Sequence, residues 1–360
     1  MSYRYPALYH PGMVGTARDA AGGSGMAFLS SQLAIPHTEI VKPLEATTYQ
    51  YAIPIKTGGG FPEYVEAWAT NFQDSEDDNY GFSSNKDEDI PLMQFDVQQA
   101  AYKVYVWQKG MIVSYIDLDK LYTAKTRGMM PPFSLDQQLR DGIGLSWHKT
   151  LERMTYLGYG ASAPGLTNNP NVPATTVAAT GTGSNTLWST KNGFQIFEDV
   201  QSAITTAVAN AGYTIGKSDL SGMKAEGVPD TLLVPWSRAQ YLVQPMGVVP
   251  APSGTSPAGY NMSVKEYIEA FSLPTLLGLK FKVLAIPDPW LATQGTGGTA
   301  RMVAYRNQEN AVLLRIPQPI IQRVIVPTLK RGGGYAALYN GAVSQVMWLR
   351  EQTAAYGDGI

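Results

Sequence analysis

Between residues 135 and 154 apolar side chains recur at helical intervals: Leu135, Leu139, Ile143, Trp147, Leu151 and Met154. That spacing lays one apolar stripe along a helix of about six turns. Such a stripe has to be buried against other elements, so the fold is organised along it. Ser134 and Gln137 have the spacing of a capping box at its start. Its end is sharper: Gly158 terminates the pattern, and Gly160, Pro164, Gly165 and Pro170 forbid its continuation. Gly142 and Gly144 interrupt the stripe and mark a bend or a close approach.

Before this helix, residues 1–47 mix Pro6, Pro11, a Gly-rich patch at 22–25 and short apolar pieces, and read as an extended arm. YQYAIPI at 49–55 predicts a strand, broken by Gly58, Gly59 and Gly60, and 64–72 predicts another. From 73 to 89 the chain carries seven acids and one base, a solvated excursion between two strands. AYKVYVWQKGMIVSYI at 101–116 alternates apolar and polar residues and is the clearest β signal of the first half. After the helix, 175–190 reads as a small-residue loop. Asn192 and Gln195 repeat the capping spacing before a second amphipathic helix through Phe194, Phe197, Val200, Ile204 and Val208, ending at Gly212. A strand at TLLVP, a helix over 264–271, a strand at FKVLAIP and a run of short strands from 301 to the end complete an α+β pattern.

At 360 residues the length suggests about two domains. Only 16% of the residues are charged. That is low for a soluble protein, so much of the surface is expected to lie against partners. A net charge of −2 provides no basic grip on nucleic acid or an anionic membrane. The absence of cysteine removes disulfides, thiolate nucleophiles and Cys-based metal sites. His10, His37 and His148 are widely spaced and have no metal-binding pattern; His148, beside Trp147, reads as a packed or surface residue of the helix. Asp117 and Asp119 fit a strand end or helix start better than an acid–base pair. The Gly-rich stretches at 58–60, 295–298 and 332–334 lack the phosphate-loop signature and read as turns. No catalytic, cofactor-binding or metal-binding residue is expected, and 21 Tyr with 7 Trp are assigned to interfaces.

Four stretches carry a family resemblance: the excursion ending in DIPLMQFDV, the passage from VSYIDL into the long helix, the exit GYGASAPGLTNNPNV, and the ending VIVPTLKRGGGYAALY. In this order the chain resembles tailed-phage major capsid proteins of the HK97-like fold, particularly those close to encapsulin shell proteins. The most specific part is the helix exit, Gly158, Gly165, Leu166, Asn168 and Pro170, where Asn168 and Asn169 can bond local backbone. The resemblance implies an N-terminal arm at 1–47. It implies a peripheral domain at 48–192, with an extended loop at about 64–98 and a spine helix at about 134–158. An axial domain at 193–320 and a return to the peripheral domain at 321–360 complete the layout.

The function so implied is a non-enzymatic subunit that self-assembles through hexamers and pentamers around double-stranded DNA, without reading its sequence. The implied location is the virion capsid, assembled in the host bacterial cytoplasm. Portal, separate scaffold and decoration proteins are the further partners expected, and no membrane; the short arm after Met1 suggests no fused scaffold. Candidate contacts between subunits are Asp74, Glu76, Asp77, Asp78, Lys86, Asp87 and Glu88 on the excursion, set against Arg301, Arg306, Arg323, Lys330 and Arg331. A solvated loop is the competing reading of the acids, and Lys86 reads as ordinary surface rather than a covalent cross-linking residue. An encapsulin-like nanocompartment shell and a β-rich carbohydrate-active enzyme or binding module remain as alternatives.

Overall fold

The computed structural model describes residues 47–73, 94–126, 135–211, 227–248, 259–328 and 333–360. It opens on a single helical turn, α1 (Tyr49–Ala52), followed by strand β1 (Ile55–Thr57). The strand expected over 49–55 is thereby corrected. Tyr49 and Ala52, three apart, are both buried in the core that contains Trp147 and Leu151, and this tertiary contact overrides the alternating pattern. A turn through Gly58, Gly59 and Gly60, all at positive φ, leads to β2 (Tyr64–Gln73). β3 (Gln94–Ser114) pairs antiparallel with β2 from Tyr64↔Lys103 to Gln73↔Gln94. With its 21 residues, β3 is more than three times the length of an ordinary strand. The acidic excursion between these strands lies outside the described residues, as does Ser134 with its expected cap.

β3 runs directly into α2 (Tyr115–Thr126), which places Asp117 in a first helical turn. The spine helix α3 (Leu135–Tyr156) follows as one element. Open space surrounds the position of a Cβ at both Gly142 and Gly144, so close packing does not account for them. Beyond the helix exit come β4 (Ala174–Thr176) and a 3-10 turn at Trp188–Thr190, ordered pieces inside the expected loop. α4 (Gly193–Asn210) begins with the capping box foreseen at Asn192 and Gln195, both halves of which are formed. Then follow β5 (Thr231–Pro235), α5 (Trp236–Ala239), β6 (Pro245–Val248) and β7 (Gly259–Ser263). α6 (Val264–Phe271), α7 (Leu273–Leu276), β8 (Lys282–Ile286) and β9 (Arg301–Tyr305) come next. The end of the chain supplies β10 (Val312–Ile316), β11 (Gln318–Thr328), β12 (Gly334–Ser344), β13 (Met347–Trp348) and β14 (Ala355–Asp358).

Two sheets dominate. The first is antiparallel, in the order β11-β12-β3-β2, and one face of it carries α3. Trp107 meets Trp147 edge-on at 5.3 Å between centroids, while Met111, Ala337 and Tyr339 pack on Ile143. The second sheet, β4-β14-β9-β5-β8, is buried on both faces along its central strands β14, β9 and β5. Leu233, Val303 and Tyr305 join the core shared with α3, whereas Leu232, Val234, Met302 and Ala304 join the core under α4 and α6. Double-sided burial explains why TLLVP reads as an unbroken apolar run instead of an alternating one. β14, at the very end of the chain, pairs antiparallel with β9 and parallel with β4.

Candidate functional site

The densest set of buried polar contacts lies where α3 ends. Gly158 takes φ 69°, and its N–H and that of Leu157 both donate to the Arg153 carbonyl. The chain then doubles back along the last helical turn, with Leu166 N–H donating to Thr155 and Thr167 N–H to Tyr156. Asn168 fastens the bend: its Oδ1 accepts from Gly165 N–H at 2.7 Å and its Nδ2 donates to the Leu157 carbonyl. Asn169 Oδ1 accepts from Asn171 N–H, as its type suggested, while Pro170 is exposed. Leu166 is completely buried in the shared core.

A second group, from the far end of the chain, closes on this bend. The Tyr356 hydroxyl donates to the Leu166 carbonyl and accepts from Asn169 N–H, and the Trp348 indole donates to the Gly165 carbonyl. Arg301 lies across the Tyr356 ring, 4.3 Å from its centroid, and donates to the Thr167 carbonyl. It grips Asp358 with both ends of its fork, Nε to Oδ1 at 2.6 Å and Nη2 to Oδ2 at 2.9 Å. Burial alone raises the Asp358 carboxyl; the Arg301 and Thr296 hydrogen bonds outweigh it and hold the group below its ordinary value. Tyr356 is driven well above the usual phenol range by burial.

These contacts correct one expectation. Arg301 and Arg306 are both buried inside the subunit, Arg306 donating to Val228 and Gln308, so neither faces a neighbour. The alternation of β9 turns Arg301 inward, and the carboxylate of β14 makes that burial tolerable. Sequence reasoning missed Tyr356 and Asp358 because their partners lie 190 and 57 positions away. Of the remaining candidates, Arg323 is exposed on β11 and stacks over Phe61 at 5.0 Å. Asp74, Glu76, Asp77, Asp78, Lys86, Asp87, Glu88, Lys330 and Arg331 lie outside the described residues.

Two further buried clusters are likewise architectural. Lys191 Nζ meets Asp199 Oδ2 at 2.6 Å, both side chains nearly inaccessible, with the Trp188 indole donating to the same carboxylate oxygen. Burial raises the Asp199 carboxyl despite these partners. A cavity of about 260 Å³ beside it is lined by Thr175, Thr180, Glu198 and Met302, among others. On α3, buried Glu152 accepts from Thr48 N–H and Oγ1–H, and half-buried His148 Nδ1 meets the Tyr49 hydroxyl at 2.9 Å. Among the described residues no group of three or more His, Asp or Glu could hold a metal ion, and no helix is long and apolar enough to cross a membrane. What this chemistry accomplishes is the fixing of backbone.

The outward-facing residues point elsewhere. On the sheet face turned away from α3, Val106, Val326 and Leu338 are exposed. Near the base of the β2–β3 ribbon Tyr64, Trp68 and Tyr159 are exposed, Trp68 by 64%. Exposed aromatic and aliphatic groups of this size on a charge-poor subunit mark contact with other chains.

Comparison with known proteins places this architecture. The family model described as "Major capsid protein" matches residues 80–360. The capsid of Myoviridae phage XM1 superimposes with a TM-score of 0.66 at 16% identity, covering 92% of this chain and 98% of that one. The capsid chain of a native GTA particle does so at 0.53 and 11%, covering 95% and 99%. A chain of Mycobacterium phage Adephagia gives 0.53 and 12%, covering 92% and 96%. No curated protein sequence matches the chain.

Proposed function

The chain belongs to the major capsid protein family, and from that premise we propose that its shell is icosahedral, built of hexamers and pentamers, and encloses phage double-stranded DNA. As a shell-forming subunit it is a structural component of the virion capsid, and its fold is the HK97-like one. The observation that carries the proposal is the family match, which covers residues 80–360. A net charge of −2 supports a container that holds DNA without gripping its phosphates.

Within this reading the subunit performs no catalysis, and its chemistry is self-association. The arm at 1–47 and the acidic excursion at 73–89 are the parts assigned to reach neighbouring subunits, with Asp74, Glu76, Asp77, Asp78, Lys86, Asp87 and Glu88 meeting basic residues such as Arg323, Lys330 and Arg331. Portal, a separate scaffold and decoration proteins are the further partners, and assembly takes place in the host bacterial cytoplasm, with which the absence of cysteine agrees. Negative-stain electron microscopy of the expressed protein tests the proposal directly. Closed, uniform particles are the expected result; a protein that stays monomeric across salt and concentration overturns it.

A further inference from the structure

Helix α2 does not pack like the other long helices. Of the side chains described on it, only Leu118 is half-buried; Tyr115, Ile116, Asp117, Asp119, Lys120, Tyr122, Thr123 and Thr126 are all exposed. Apart from the end of β3, from which it springs, no element among the described residues packs extensively on it. Twelve residues are too few for a helix to be stable in water on propensity alone, because nucleation costs more than so few turns return. Polar contacts anchor its start, Tyr115 N–H donating to the Gly333 carbonyl and Ile116 N–H to Ser114 Oγ. Yet Tyr115, Leu118 and Tyr122, at helical spacing, fall on one stripe. Tyr122 is 73% exposed.

The charge order along α2 identifies an occupant for that stripe. The first half carries Asp117 and Asp119 with Lys120 at its end; the second half carries Lys125 and no acid. Two copies laid antiparallel about a two-fold axis bring the acidic half of each beside the basic half of the other, with their dipoles opposed head to tail. We propose that α2 is a two-fold contact helix, completed by α2 of a second copy of this chain through Tyr115, Leu118 and Tyr122. The inference rests on the capsid reading and adds which element meets which across one shell contact.

The chain has no cysteine, so an introduced one reports on its own counterpart alone. In assembled particles Asp119→Cys and Tyr122→Cys, both close to the crossing point, are expected to give covalent dimers under mild oxidation, since disulfides need Cα atoms within about 7 Å. In the unsubstituted protein, amide exchange over 116–126 is expected to slow by about tenfold or more between unassembled subunit and particle. A variant that folds as a subunit but no longer assembles also supports the contact. Particles that form with neither covalent dimer nor slowed exchange overturn it. Slowed exchange without either dimer overturns the antiparallel pairing in favour of another occupant. Failure of the unsubstituted chain to form particles overturns instead the capsid reading.

Discussion

Asp358 is the residue on which the most separate parts of the chain converge, since it fixes Arg301, and Arg301 in turn holds the Tyr356 ring and the Thr167 carbonyl. Replacing it with Asn leaves the guanidinium buried without a counter-charge, which costs about 3–5 kcal/mol. Urea unfolding of the unassembled subunit, followed by Trp fluorescence, measures this. The pH dependence has a definite sign. A carboxyl held below its unfolded value contributes stability above about pH 4 and loses it as pH falls through the folded value. The wild type is therefore expected to weaken steeply below about pH 4, and Asp358→Asn, already weaker, to show a shallower loss there. Gly158 makes a backbone case. An added Cβ would strike the Ala163 carbonyl, and the positive φ already disfavours any side chain. Gly158→Ala is thus expected to cost about 1–3 kcal/mol or more. Gly142→Ala, in open space on the same helix, is expected to stabilise by about 0.5–1 kcal/mol. Thermal melts of the two variants should move in opposite directions.

Elements owe their positions to a few close approaches. α3 sits tightly on its sheet because Gly341 of β12 has no side chain: a Cβ there would come 2.9 Å from the Trp147 ring. Gly341→Val should push the spine helix off β12, destabilising the subunit by about 1–3 kcal/mol and altering the near-UV circular dichroism of the Trp107–Trp147 pair. α4 depends instead on its first turn, where Asn192 accepts from Gln195 N–H at 2.9 Å. Asn192→Ala should lower stability by about 1 kcal/mol, read from the denaturant midpoint, with no change in the slope of the unfolding transition. These costs belong to the fold of the subunit and should appear before any shell is formed.

Whole-molecule behaviour is governed by what the subunit leaves uncovered. Its two largest cores lie on opposite faces of the β4-β14-β9-β5-β8 sheet, whereas residues on the outer face of the long antiparallel sheet and on α2 are exposed. Assembly contacts formed by exposed charges are screened beyond about 10 Å at about 0.1 M salt. Joint reversal of Asp77→Lys and Asp78→Lys is thus expected to lower particle yield and to change its dependence on salt, as measured by sedimentation. Unchanged yield at every ionic strength would return the acidic excursion to an ordinary solvated loop.

The residues by themselves determined those features whose cause is local. The stripe from Leu135 to Met154 and the Gly–Pro signals after it located the spine helix and its exit, because period and backbone restriction act over a few neighbouring positions. The box at Asn192 and Gln195 and the buried run TLLVP were legible for the same reason, and likeness in the order of parts pointed to the shell family. Tertiary structure alone decided the rest. Tyr49 and Ala52 form a helical turn, against their alternating pattern, because the core beside Trp147 rewards burying both on one side. Arg301 faces inward because Asp358, 57 positions on, arrives on the neighbouring strand. No sequence window contains both members of such a pair, and the free energy that fixes them exists only once the sheet has brought them together.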